Sequence, residues 1–115
     1  MIFGTLTRDQ KAELKDGMEK IAIYYGIDIQ QSKLCEESGE YISAVNKANI
    51  AYTLGHSTES VERHLDQQLE EYADMAVVWL EVFYLMHPER QKQVLETMLS
   101  KVRRQLDRIA KGDQE

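Results

Sequence analysis

Along nearly the whole chain apolar residues recur every three or four positions, and no useful length alternates with period two. Four helices follow from that spacing. The first runs from about Thr7 to Tyr25, with Leu14, Met18, Ile21, Ala22 and Tyr25 on its stripe. Thr7 and Gln10 stand at the spacing of a capping box, and Gly26 supplies a C-terminal stop. The second spans roughly Ile29 to Ala51, striped by Leu34, Tyr41, Val45 and Ala48, and ends in the loop YTLGHST. The third starts near Ser57 or Thr58 and runs to about Met86. Leu65, Leu69, Tyr72, Met75, Ala76, Trp79, Phe83 and Met86 form its expected main core face. From Met75 to Met86 only Glu81 is charged, which predicts burial on most sides of that half. His87-Pro88 interrupts the pattern, and proline suits the first turn of a new helix. The fourth helix then runs to about Lys111, before Gly112, with Leu95, Met98, Leu99, Val102, Leu106 and Ile109 expected inward. The predicted fold is all-α, a four-helix bundle forming one domain over residues 1–115.

Two acidic clusters intrude on these stripes. With about 100° between residues, Glu37 falls inside the apolar stripe of the second helix, between Ala44 and Ala48 in angle. Glu40 sits at the stripe's edge, and Glu36 points toward solvent. The third helix repeats the arrangement. Glu71 and Asp74 are three residues apart on a stripe that continues through Val78, Val82 and Leu85, while Glu70 is on the more exposed side. Acids at one end of a seam and aliphatics at the other mean that the seam enters the core. An isolated buried carboxylate costs several kcal/mol, and four together repel one another. A hard divalent cation with all-oxygen ligation, Mg²⁺ or Mn²⁺, resolves both problems. No histidine follows the acids at the Glu-x-x-His spacing of di-iron bundles, and His64 is placed for an outer role behind Glu71.

Charge and composition narrow the function classes. Twenty acidic against fourteen basic residues give a formal charge of −6, which disfavours a nucleic-acid polymer as partner. No apolar run approaches the ~18 residues of a membrane span, and the N-terminus lacks the pattern of a secretion signal. The lone cysteine, Cys35, leaves no internal disulfide and has no nucleophile constellation around it. The expected location is cytoplasmic, without membrane contact.

The acidic segments also carry a family resemblance. EESGE, from Glu36 to Glu40, resembles the E-E-x-x-E element of the MazG-like nucleoside triphosphate pyrophosphohydrolases, and EYAD, from Glu71 to Asp74, resembles their E-x-x-D element. The similarity extends from about YYGIDIQQSKL through the third helix and is weaker over the fourth. It implies a bundle of the all-α NTP pyrophosphatase type that cleaves a nucleoside triphosphate between its α and β phosphates. By that pattern Glu37, Glu40, Glu71 and Asp74 hold Mg²⁺, with Mn²⁺ as the substitute. Glu36 is an accessory acid beside Glu37, and the two are the catalytic candidates. Which acid serves as general base is left open. The resemblance further implies a homodimer or homotetramer, with the bundle completed across the interface.

A triphosphate substrate also calls for cations. Lys33 lies one turn before Glu37, Lys47 lies near Glu40 in angle, and Lys101, Arg104 and Arg108 edge the apolar face of the fourth helix. Some relatives hold the base with an aromatic ring one turn after the aspartate, where this chain has Val78. Tyr24, Tyr25, Tyr52 and His56 are the remaining side chains suited to a base, and the sequence does not name the nucleotide. Two other functions fit the same residues: a phosphoribosyl-ATP pyrophosphohydrolase, which typically has a histidine soon after the aspartate, and a catalytically silent bundle that binds a nucleotide or a protein.

Overall fold

The computed structural model describes residues 3–112, and they form four helices with no strand among them: α1 (Arg8–Tyr25), α2 (Ile27–Thr53), α3 (Thr58–Leu85) and α4 (Pro88–Ala110). The fold is all-α, as the periodicity predicts. Local signals set the boundaries. Thr7 Oγ1 accepts from the Gln10 amide at 3.1 Å, and Gln10 Oε1 accepts from the Thr7 amide at 2.9 Å, completing the capping box. Gly26 closes α1 and opens α2 with φ 83° and ψ 168°, a region essentially restricted to glycine. Ser57 Oγ accepts from the Ser60 amide at 3.2 Å at the head of α3. His87 caps α4 through Nδ1, and Pro88 takes the first-turn position.

The chain divides after Leu85 into two compact units. In the first, α2 and α3 form a helical hairpin with α1 packed against it. Its seam is narrow. On α2 the buried residues Gln30, Glu37, Ala44 and Ala51 recur at heptad spacing, joined by Ala48, and α3 contributes Val78, Glu81 and Val82. The valine and acid stripe of α3 takes the buried side. This corrects the expected main face of α3: Leu65, Leu69, Tyr72 and Trp79 are exposed. Among the described residues the buried apolar ones are Ala22, Ala44, Ala48, Ala51, Val78 and Val82, none of them large. Ile21 and Tyr25, expected on the inner stripe of α1, are also exposed.

The second unit, from Met86, is built on α4, and no α4 residue is buried. Leu95, Met98, Leu99, Val102, Leu106 and Ile109 are exposed, correcting the expected inward stripe. A lone amphipathic helix has nothing within its own unit against which to cover such a face.

Candidate functional site

One turn of α2 and one turn of α3 bring three acids together. Glu37, Glu71 and Asp74 each offer a carboxylate oxygen, and these oxygens all lie within 4.8 Å of one another. Glu37 is buried on the seam, 6% exposed, whereas Glu71 is half-buried and Asp74 exposed. The group therefore runs from a buried floor to an open mouth.

Each inner carboxylate is tied down by its own helix on one side only. Lys33 Nζ, four residues before Glu37, pairs with Glu37 Oε1 at 3.0 Å. Gln67 Nε2, four residues before Glu71, donates to Glu71 Oε1 at 2.7 Å. The second oxygen of each, Glu37 Oε2 and Glu71 Oε2, is buried and has no hydrogen-bond partner. Two orphaned anionic oxygens beside a third carboxylate are costly unless a cation or proton joins them. An all-oxygen set of this kind fits a hard divalent ion, so the donor chemistry suits a metal site.

The neighbours shape its electrostatics. Glu40 is exposed beside the trio. Its carboxyl is held above the ordinary carboxylate range, first by the charge of Glu37, then by desolvation and the charge of Glu71. Glu36 is exposed and reaches only Lys33, at 3.7 Å. The Lys33 ammonium is held above its usual value by its hydrogen bond to Glu37 and by the charges of Glu36 and Glu37. Of the predicted phosphate-binding cations, Lys33 is thus at the site and engaged with its acids. Lys47 is exposed farther along α2, and Lys101, Arg104 and Arg108 are exposed on α4 in the other unit. His64 is half-buried and Val78 is buried.

No family model matches the chain, and no curated protein or solved structure matches it. Among the described residues no helix is long and apolar enough to cross a membrane.

A second polar rung lies one heptad from the acids. Gln30 and Glu81 are 3% and 2% exposed, and Gln30 Nε2 donates to Glu81 Oε1 at 2.7 Å. Glu81 Oε2 is buried without a partner. Desolvation raises the Glu81 carboxyl above its ordinary value, with the Gln30 hydrogen bond opposing. The pair lines a cavity of about 350 Å³ with Ile21, Tyr25, Ile29 and Lys33. The sequence reading treats the stretch around Glu81 as buried but assigns it no role. The available signals are a single charge among the twelve residues from Met75 to Met86, and Gln30 standing a heptad before Glu37.

Proposed function

We propose that this chain is a Mg²⁺-dependent nucleotide pyrophosphohydrolase, cleaving a nucleoside triphosphate between its α and β phosphates to a monophosphate and pyrophosphate. The observation that carries the reading is the pair of buried, unpartnered oxygens, Glu37 Oε2 and Glu71 Oε2, within a ligand-spaced group completed by Asp74. The resemblance of EESGE and EYAD to the MazG-like elements supports it from the sequence side. Glu37, Glu71 and Asp74 would hold Mg²⁺ or Mn²⁺, with Glu40 beside them as a further ligand. When bound, the ion supplies neutralisation of phosphate charge and a water acidified toward neutral pH.

The chain's own residues divide the remaining work. Lys33 fixes Glu37 from its own helix, and its ammonium stands where it can also meet a phosphate. Glu40 is exposed beside the trio and Glu36 is exposed next to Lys33, and either carboxylate can accept a proton from an attacking water. The exposed apolar face of α3 fits a homo-oligomer that covers it with a second copy.

The test is incubation of the pure protein with Mg²⁺ and a panel of nucleoside triphosphates, detecting pyrophosphate and monophosphate. Both products are expected from at least one nucleotide, and Glu37→Gln should abolish them. The reading fails if no nucleotide yields pyrophosphate, or if Glu37→Gln leaves the rate unchanged.

A further inference from the structure

The Gln30–Glu81 rung is more than a tie between helices. A buried pair that served only to join α2 to α3 would be expected to satisfy all its polar atoms. Here Gln30 occupies Glu81 Oε1 at 2.7 Å, and Oε2 is left buried and unpartnered. Glu81 also lines a cavity of about 350 Å³, within the roughly 300–1,000 Å³ of small-molecule sites. Ile21, Tyr25 and Ile29, all exposed, line the same cavity with Val77 and the buried Val78, so Gln30 and Glu81 are polar groups set among apolar side chains. An apolar surround with one or two fixed polar groups suits a flat heterocycle that presents a hydrogen-bond donor at its edge.

Lys33 links this cavity to the acids. It lines the cavity, and it also pairs with Glu37 at 3.0 Å. A ligand with a ring at one end and phosphates at the other therefore meets Lys33 between the two features. We propose that the Gln30–Glu81 cavity is the base subsite, and that Glu81 Oε2 selects bases bearing an exocyclic amino group over uracil and thymine. This inference rests on the nucleotide reading above and adds to it the class of base.

The selectivity follows from donor and acceptor placement. In its ionised form the Glu81 carboxylate only accepts. Cytosine, adenine and guanine each offer an amino N–H at the ring edge. Uracil and thymine offer one imide N–H flanked by two carbonyl oxygens, and those oxygens repel the carboxylate. Gln30 fixes the orientation of Glu81, so the carboxylate cannot turn to relieve that repulsion.

The decisive variant is Glu81→Gln. It keeps the shape and the acceptor for Gln30, but places an amide N–H₂ where Oε2 stood. The wild-type chain is expected to prefer amino-bearing over imide triphosphates by roughly tenfold or more in kcat/KM, the size of a charge-assisted hydrogen bond. Glu81→Gln should erase or invert that preference by giving a donor to the uracil or thymine carbonyl. A variant disturbed only in packing would lower all rates together. Calorimetry with cytidine, adenosine, uridine and thymidine, without metal or phosphate, measures the subsite apart from hydrolysis. Amino-nucleoside binding that Glu81→Gln abolishes, in a protein that releases no pyrophosphate, sinks the enzyme reading and keeps the subsite. Pyrophosphate release whose base preference is the same in wild type and Glu81→Gln overturns the subsite and keeps the enzyme. Absence of both nucleoside binding and base preference overturns the subsite as well.

Discussion

Gln30 Nε2 donates a 2.7 Å hydrogen bond to Glu81 Oε1 one heptad along the α2–α3 seam from the point where Glu37 meets Asp74. The two rungs follow from one geometric fact. Gln30 and Glu37 are seven residues apart on α2, Asp74 and Glu81 are seven apart on α3, and the two helices run antiparallel from a short turn. Heptad spacing keeps both pairs on the same narrow seam. Toward the turn α2 supplies Ala44, Ala48 and Ala51 to the seam. The Gln30–Glu81 pair and its cavity lie toward the end of the hairpin farther from the turn, beside Val78.

The Glu81 carboxyl titrates above its ordinary value because burial disfavours its charged form. The folded state therefore keeps a proton that the unfolded chain has already lost. Stability from this group is fully present below the unfolded value of 4.5 and is lost as pH rises through the raised folded value. Glu81→Gln removes the ionisation and keeps the acceptor for Gln30. The variant should be more stable than wild type at pH 8, by on the order of 1 kcal/mol, with the gap closing as pH falls toward 4.5. Denaturant melts at several pH values check this, and a constant gap between the two proteins would refute it.

Mg²⁺ or Mn²⁺ should raise the melting temperature of the wild-type chain, because binding joins the orphaned oxygens of Glu37 and Glu71. At a hundred times Kd the expected gain is about 2.7 kcal/mol, several degrees for a domain of this size. Glu37→Gln should lose that gain and weaken the metal by roughly a hundredfold or more. Without metal the same variant loses the Lys33 ion pair but relieves the crowding of the acids, so its stability should stay within about 1 kcal/mol of wild type. Scanning calorimetry with and without the ions separates this small change from the lost metal gain.

The helices and the acid pairs were legible in the sequence because each depends on local spacing. The capping box at Thr7, the break at Gly26 and the inward position of Glu37 all stand in the structure as the pattern predicts. The buried side of α3 was not legible from hydrophobicity alone. Its bulkiest stripe, through Leu69, Tyr72 and Trp79, is exposed, while the stripe of Glu71, Val78 and Val82 faces the seam. Which stripe is buried is decided by what α3 meets across the chain, and periodicity within one helix does not carry that. The stripe of α4 failed for a related reason: its periodicity shows that a face exists and says nothing of what covers it. The Gln30–Glu81 pair joins residues far apart in the chain, and spacing within one helix cannot announce such a contact.

Two glycines should respond to alanine with opposite signs. Gly26 adopts φ 83° and ψ 168° at the junction of α1 and α2, where its amide also donates to the Ala22 carbonyl at 2.9 Å. A Cβ is strained in that region, so Gly26→Ala should cost about 1–3 kcal/mol. Gly17 lies inside α1, and an added Cβ there meets nothing within 4 Å. Gly17→Ala should instead stabilise by roughly 0.5–1 kcal/mol. Urea melts of the two variants check both signs.

The exposed face of α3 makes the last prediction. Tyr72, Met75, Trp79 and Leu80 line an apolar groove of about 550 Å³ with Leu34 of α2. Trp79 stacks on Phe83 with centroids 5.6 Å apart, and Tyr72 meets Tyr41 edge-on at 5.4 Å. These rings are held in fixed poses and still present area to solvent, as 41% of Trp79 and 55% of Tyr72 are exposed. Among the described residues the buried apolar set contains only alanine and valine, and many large apolar side chains are exposed. A second copy supplies an identical apolar face, so a dimer or tetramer is the state expected in solution. Trp79→Glu places a charge in the middle of that face and should shift the protein to monomer, with loss of thermal stability because the interface is lost. Sedimentation equilibrium over a range of concentrations measures the effect, and a wild-type chain that stays monomeric at high concentration would show that another partner covers the face.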